Sequence, residues 1–203
     1  MTIYPDYPKF DIDLVTDNIV SGRLCLDTTD DIVKILSKEV DKVDALSPAY
    51  IGEDPEDNVF ADIRKGSVHW LEESKEATAL IDRLVEEINT GYFNLNISDL
   101  AKEYQYTVYA DTEDHYDWHQ DRYDTDTTKF VRELSISVCL SSSEMYDGAE
   151  FFIKDGKDAN VRVFKMKYGD FIVFPSACEH RVNMLREGKR ISLVIWYGHW
   201  KKD

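Results

Sequence analysis

Tyr168-Gly169-Asp170-Phe171-Ile172-Val173-Phe174-Pro175 and Arg190-Ile191-Ser192-Leu193-Val194-Ile195-Trp196 are the two runs that decide the fold. Both are rich in β-branched and aromatic residues, and a Tyr-Gly-Asp turn opens the first. In the second, strand alternation puts Arg190 and Ser192 on one face and Leu193 and Ile195 on the other. The same pattern extends through the C-terminal half. Strands are expected near 105–109, 118–121, 132–140, 150–154, 161–165, 170–174, 180–182 and 190–197, with turns at 146–148, 155–157 and 168–170. So many short strands in one half predict a jelly roll.

The N-terminal half reads differently. Residues 1–26 form an extended lead-in with one strand near 19–26. Thr28-Thr29-Asp30-Asp31 is an N-cap signal ahead of Ile32, Val33, Leu36, Val40 and Val43, which predicts a helix over 29–44. Pro48, Gly52 and Pro55 mark 47–57 as a loop, and 61–71 reads as a strand around Val68-His69-Trp70. A second helix, capped by Ser74, carries Ala77, Leu80, Ile81, Leu84 and Ile88 on one face and stops at Asn89-Thr90-Gly91. An apolar helix stripe must be buried, so both helices are expected to cover one outer face of a sheet. The fold class is therefore mainly β with flanking helices. Residues 1–203 are read as a single domain, with 1–100 as support and 101–200 as the jelly-roll core.

Composition narrows the function. At 43% apolar and 32% charged, the chain of 203 residues can bury a core. Its 24 basic residues face 40 acidic ones, and a net charge of −16 repels phosphate backbones and anionic lipid, so neither nucleic acid nor membrane is expected as a partner. Cys25, Cys139 and Cys178 lack the pairing or spacing of a disulfide framework or a thiolate zinc cage. The start of the sequence has no basic region followed by an apolar one, and a cytoplasmic location is expected.

Three residues are candidates for metal chemistry in this pattern, although a lone His-x-Asp is more often a solvated surface pair. His119 and Asp121 stand two apart in Tyr116-Asp117-Trp118-His119-Gln120-Asp121, side by side if the segment is a strand. His180 supplies a third donor from another strand, and two histidines with one carboxylate make the facial triad that holds non-haem Fe(II) with open positions. His115-x-Asp117 is a second His-x-Asp that alternation alone does not exclude, although Thr112-Glu113-Asp114 reads as a loop just before it. His69 and His199 read as structural. Arg190, at the start of a core strand, needs an anion: one of the many acids, or a ligand carboxylate gripped by the guanidinium fork with help from Ser192.

Taken in order, Tyr109, Tyr116, His119-x-Asp121, Tyr146-Asp147-Gly148-Ala149-Glu150, 168–175, His180 and Arg190-x-Ser192 resemble the iron(II)- and 2-oxoglutarate-dependent oxygenases of the prolyl-hydroxylase class. The similarity is greatest to the bacterial and phage PKHD-type hydroxylases and covers roughly 60–200. It implies a double-stranded β-helix with Fe(II) held by His119, Asp121 and His180, and 2-oxoglutarate held by Arg190 with Ser192. Tyr109 matches a pocket tyrosine and Trp196 an aromatic of the same cavity. O₂ and ascorbate as reductant come with the resemblance, as does hydroxylation of a prolyl or other side chain in a protein or peptide, or of a free amino acid or other small molecule. Relatives usually carry Gly-Gly at 148–149, and a tyrosine of the animal enzymes is replaced near Ser137 or Cys139.

The same residues disfavour other classes. A base demethylase needs a basic groove, which the charge opposes. A non-catalytic jelly-roll binding module, with or without zinc, and a cupin-type dioxygenase both leave Arg190-x-Ser192 unexplained.

Overall fold

A computed structural model describes residues 10–40, 47–49, 63–71, 75–95, 97, 102–125, 128–156 and 160–201. In chain order the elements are β1 (Phe10–Val15), β2 (Val20–Leu24), α1 (Leu26–Val40), β3 (Ser47–Pro48), β4 (Arg64–Lys65), β5 (Ser67–Trp70) and α2 (Lys75–Ile88). They continue as β6 (Lys102–Tyr109), β7 (His115–His119), β8 (Phe130–Cys139), β9 (Tyr146–Gly148), β10 (Phe151–Asp155) and β11 (Asn160–Phe164). The last are β12 (Asp170–Pro175), β13 (His180–Val182), β14 (Leu185–Gly188) and β15 (Arg190–Trp200).

The strands form a jelly roll of two antiparallel sheets. The large one runs β1-β2-β12-β8-β15-β6-β5-β3 and the small one β11-β10-β13-β7-β4, with β14-β9 as a separate ribbon. The central large-sheet strands β8 and β15 are buried on both faces. Leu134, Ile136, Val138, Leu193 and Ile195 pack with Ile32 and Leu36 of α1 and Ile81, Leu84 and Val85 of α2. On the opposite side Cys139, Ile172 and Phe174 pack with Phe151, Ile153 and Val182 of the small sheet. The helices do cover one outer sheet face, as the amphipathic spacing requires. No helix among the described residues is long and apolar enough to cross a membrane.

Several local expectations are corrected. The lead-in holds two strands, because β1 hairpins onto β2 and β2 pairs with β12, extending the large sheet. The α1 helix begins at Leu26, before the Thr-rich signal: Leu24 N–H is held by Gly169 O, and the chain turns straight from strand to helix. Thr29 then sits in the first turn with its hydroxyl donating to Cys25 O (3.1 Å), so docking on the β12 turn overrides the local cap. The stretch 61–71 is two strands in different sheets. The crossover falls at Gly66, with φ 151°, where a Cβ would stand 3.2 Å from Val108 O. After α2 the chain adds a π-helical turn, Asn89–Phe93, and the left-handed residue is Asn94 (φ 51°) rather than Gly91. The Asn89 side chain makes this stop by bonding Leu95 N–H and O at 2.9 and 2.8 Å. Tyr146–Gly148, expected as a turn, pairs with β14, and left-handed Gly148 and Ala149 (φ 84° and 49°) follow. The expected Ser74 cap, the last residues of the 29–44 helix, most of the 47–57 loop and Lys157 of the 155–157 turn lie outside the described residues.

Candidate metal and co-substrate site

His119 closes β7, and Asp121 lies just past its end, so the pair is not two positions of one strand as the spacing suggested. The chain leaves the sheet after His119 and is caught by Ser176 O, which accepts both Asp121 N–H and Arg122 N–H at 2.9 Å. His180 opens β13 directly opposite His119 in the antiparallel pairing. The result is a cluster: His119 Nε2 is 3.6 Å from Asp121 Oδ1 and His180 Nε2 is 3.5 Å from Asp121 Oδ2. Each imidazole is tied through Nδ1 to a backbone carbonyl, His119 to Asp117 O (2.7 Å) and His180 to Cys178 O (3.0 Å). Donation there leaves both Nε2 lone pairs facing the carboxylate, which is how backbone partners orient metal-ligating histidines.

The electrostatics suit a cation. Burial lowers the His180 imidazole to about 4, against the pull of Asp121, so it is neutral at pH 7. Burial also works against charge on Asp121, but the two imidazoles outweigh it and hold the carboxyl well below the usual range. His119, Asp121 and His180 are the His/Cys/Asp/Glu cluster of metal-ligand geometry found among the described residues. His115 and Asp117 are not in it. Asp117 is exposed and accepts Trp118 N–H (2.8 Å), while His115 Nδ1 meets Glu113 O (2.7 Å). His69 and His199 also lie outside the cluster.

A pocket of about 420 Å³ opens beside the triad, floored by alternate residues of β6, β8 and β15 and roofed by Phe151, His180 and Val182. Tyr109, Arg190, Ser192 and Trp196 all line it. Arg190 is 1% exposed, and its Nη1 reaches Ser192 Oγ at 3.4 Å. Tyr109 pairs with Arg190 across the β15–β6 register, its ring centroid 5.8 Å from the guanidinium carbon. Burial pushes the Tyr109 phenol up, so it stays a neutral hydroxyl. Ser137 lines the pocket, whereas Cys139 packs against Tyr146.

Some site residues escaped the sequence reading. Ser135 Oγ donates to Asp121 Oδ2 (2.8 Å) and lies 2.8 Å from Ser176 Oγ, fixing the carboxylate from below. The ring of Tyr116, which the motif had included without a stated role, stacks on His119 at 3.4 Å. Arg64, Gln105 and Thr107 line the pocket too. The available signal was Ser135-x-Ser137 alternating with Leu134, Ile136 and Val138: two small polar residues on one face of a core strand.

Residues 104–198 match the family model of the 2OG-Fe(II) oxygenase superfamily. That match spans 95 of the 203 residues and supports assignment to that superfamily. Among curated proteins, a PKHD-type hydroxylase of Psychrobacter sp. (strain PRwf-1) is 32% identical over 72 residues, which is 35% of this chain and 27% of the relative. The chain thus spans about a quarter of the length of the curated relatives it matches. A solved prolyl-4-hydroxylase of Pseudomonas putida superposes with a TM-score of 0.69 at 20% identity, covering 91% of this chain and 94% of that one. A Trichoplax adhaerens prolyl hydroxylase, solved with a hypoxia-inducible-factor peptide, gives 0.70 at 15%, covering 90% and 84%. At these identities the likeness establishes the oxygenase fold.

The groups the superfamily implies, Fe(II) and 2-oxoglutarate, fit the residues present. The donor set is two imidazoles and one carboxylate. Arg190 is a buried cation whose Nε has no hydrogen-bond partner, and no carboxylate among the described residues pairs with it. An unpaired buried charge is costly, and a carboxylate bound beside Arg190 would relieve that cost.

Proposed function

We propose that this chain is an Fe(II)- and 2-oxoglutarate-dependent dioxygenase that hydroxylates a side chain, prolyl or another, in a protein or peptide or on a free amino acid. The observation that carries the reading is one pocket holding both a His-Asp-His cluster and a buried guanidinium without an anionic partner. His119, Asp121 and His180 would hold the iron, and Arg190 with Ser192 would hold the far carboxylate of 2-oxoglutarate. Iron bound there supplies the hard chemistry: 2-oxoglutarate and O₂ give succinate and CO₂, one oxygen atom entering succinate and the other a substrate C–H bond.

The protein residues do the rest. Arg190 fixes the direction of the co-substrate by a two-pronged ion pair in a dry site. The Tyr109 hydroxyl, kept neutral, is a hydrogen-bond donor beside it. Ser135 holds the orientation of Asp121, and Phe151, Phe174 and Trp196 exclude water. A prolyl or peptide substrate is supported by the PKHD-type and prolyl-hydroxylase relatives, and the acidic surface suits a basic partner. A single oxygenase domain over 1–203 in the cytoplasm and ascorbate as reductant belong to the same reading.

The test is succinate formation from 2-oxoglutarate by the purified protein with Fe(II) and ascorbate. Slow substrate-free turnover is expected, lost in His180→Ala and with zinc in place of iron. Failure of the wild type to bind either iron or 2-oxoglutarate would sink the proposal in favour of a non-catalytic jelly-roll module.

A further inference from the structure

Two guanidinium groups line the pocket, and only Arg190 is accounted for by the co-substrate; the other is Arg64, on β4. They stand at different places. Arg190 pairs with Tyr109 across the β15–β6 register, whereas Gln105, which holds Arg64, lies opposite Val194. Those two partner positions are four residues, roughly 13 Å, apart along β6, and Arg64 itself is carried on β4 opposite Tyr116. Arg64 instead belongs beside the metal cluster. Its guanidinium carbon lies 4.5 Å from the centroid of Tyr116, the ring that stacks on His119.

Its partners are all neutral. Nη2 donates to Gln105 Oε1 (2.7 Å), which also accepts from Thr107 Oγ1 (3.1 Å). Nε has no partner, and no carboxylate among the described residues forms an ion pair with it. In a chain with 40 acidic residues, a pocket cation oriented by an amide and an aromatic ring is one whose charge is left for a ligand.

We propose that Arg64 binds a carboxylate of the primary substrate, so that the substrate is a carboxylic acid whose target C–H bond lies close to that group. This rests on the oxygenase reading, since only then is Arg190 committed to 2-oxoglutarate. The net charge of −16 disfavours a polyanionic substrate and points to a single carboxylate, supplied by a free amino acid or by the C-terminus of a peptide.

The experiment compares four probes on the full chain: a pool of the twenty L-amino acids, the same pool as amides, and pools of Gly-Gly-Xaa tripeptides as acids and as amides. Binding is read as the thermal midpoint of the Mn(II)- and 2-oxoglutarate-loaded protein, and turnover as stimulated succinate formation with Fe(II). At least one acid pool is expected to act at about tenfold lower concentration than its amide. Arg64→Gln should erase that preference while 2-oxoglutarate affinity stays unchanged, and Arg64→Lys should keep part of it. A response confined to amino acids or to tripeptide acids supports the proposal and names the source. Equal action of acids and amides, no action by any pool, or a full preference in Arg64→Gln overturns it. Loss of 2-oxoglutarate binding by the wild type would instead overturn the oxygenase reading beneath it.

Discussion

On β8, Leu134, Ile136 and Val138 turn toward the helices, while Ser135, Ser137 and Cys139 turn toward the small sheet. On β15, Leu193, Ile195 and Tyr197 oppose Arg190, Ser192 and Trp196 in the same way. Burial does not separate the two faces, since Ile136 is 0% exposed and Arg190 1%. What differs is satisfaction. The helix face is apolar and closed, and where a polar atom reaches it the atom is paired, as Tyr197 Oη is with Asp82 Oδ1 (2.9 Å). The pocket face keeps buried polar atoms without protein partners, at Arg64, Arg190 and Trp196. Stability is invested on one side of a sheet and ligand-binding capacity on the other, one residue apart along the same strand.

That contrast can be broken from either side. Ile136→Ala removes a fully buried branched side chain from the helix face and is expected to cost about 2–5 kcal/mol of folding stability. Metal and 2-oxoglutarate affinities measured on the folded fraction should stay within a factor of about two, and a large loss there would mean that the two faces are coupled. Arg190→Met should act in the opposite sense. It replaces a buried, unpaired cation with an apolar chain of similar length, so urea unfolding of the metal-free protein should show a gain of about 1–3 kcal/mol, with 2-oxoglutarate binding abolished. Lower stability in that variant would show that Arg190 holds the fold rather than awaiting a ligand.

Ser135→Ala is the finest cut. It leaves all three donors of the cluster in place and removes only the hydroxyl that orients Asp121. Manganese affinity, followed by titration, should fall about 10–100-fold with little change in thermal midpoint. Unchanged affinity would mean that the hold of Ser176 O on the Asp121 and Arg122 amides is enough to orient the carboxylate.

Much of this was legible in the chain. Period-2 alternation placed Arg190 and Ser192 opposite Leu193 and Ile195, and helical spacing placed Ile32, Leu36, Ile81 and Leu84 on the sheet, because one-sided burial leaves a period in the sequence. The sequence by itself also brought His119, Asp121 and His180 forward as a set, since few other functions need those residue types in that order. Local signals failed where a distant partner intervened. The Thr28–Thr29 cap yielded to docking of Leu24 on Gly169, and the 61–71 strand split at Gly66 because its two ends join different sheets. Asp121 meets His119 through a turn captured by Ser176 O rather than through strand alternation. Only the tertiary structure could exclude His115-x-Asp117, reveal Ser135 beneath Asp121, and bring Arg64 from an N-terminal strand to the ring stacked on His119. Each is a contact between residues far apart in sequence, fixed by strand register and side-chain direction, and such contacts leave no period along the chain to be read.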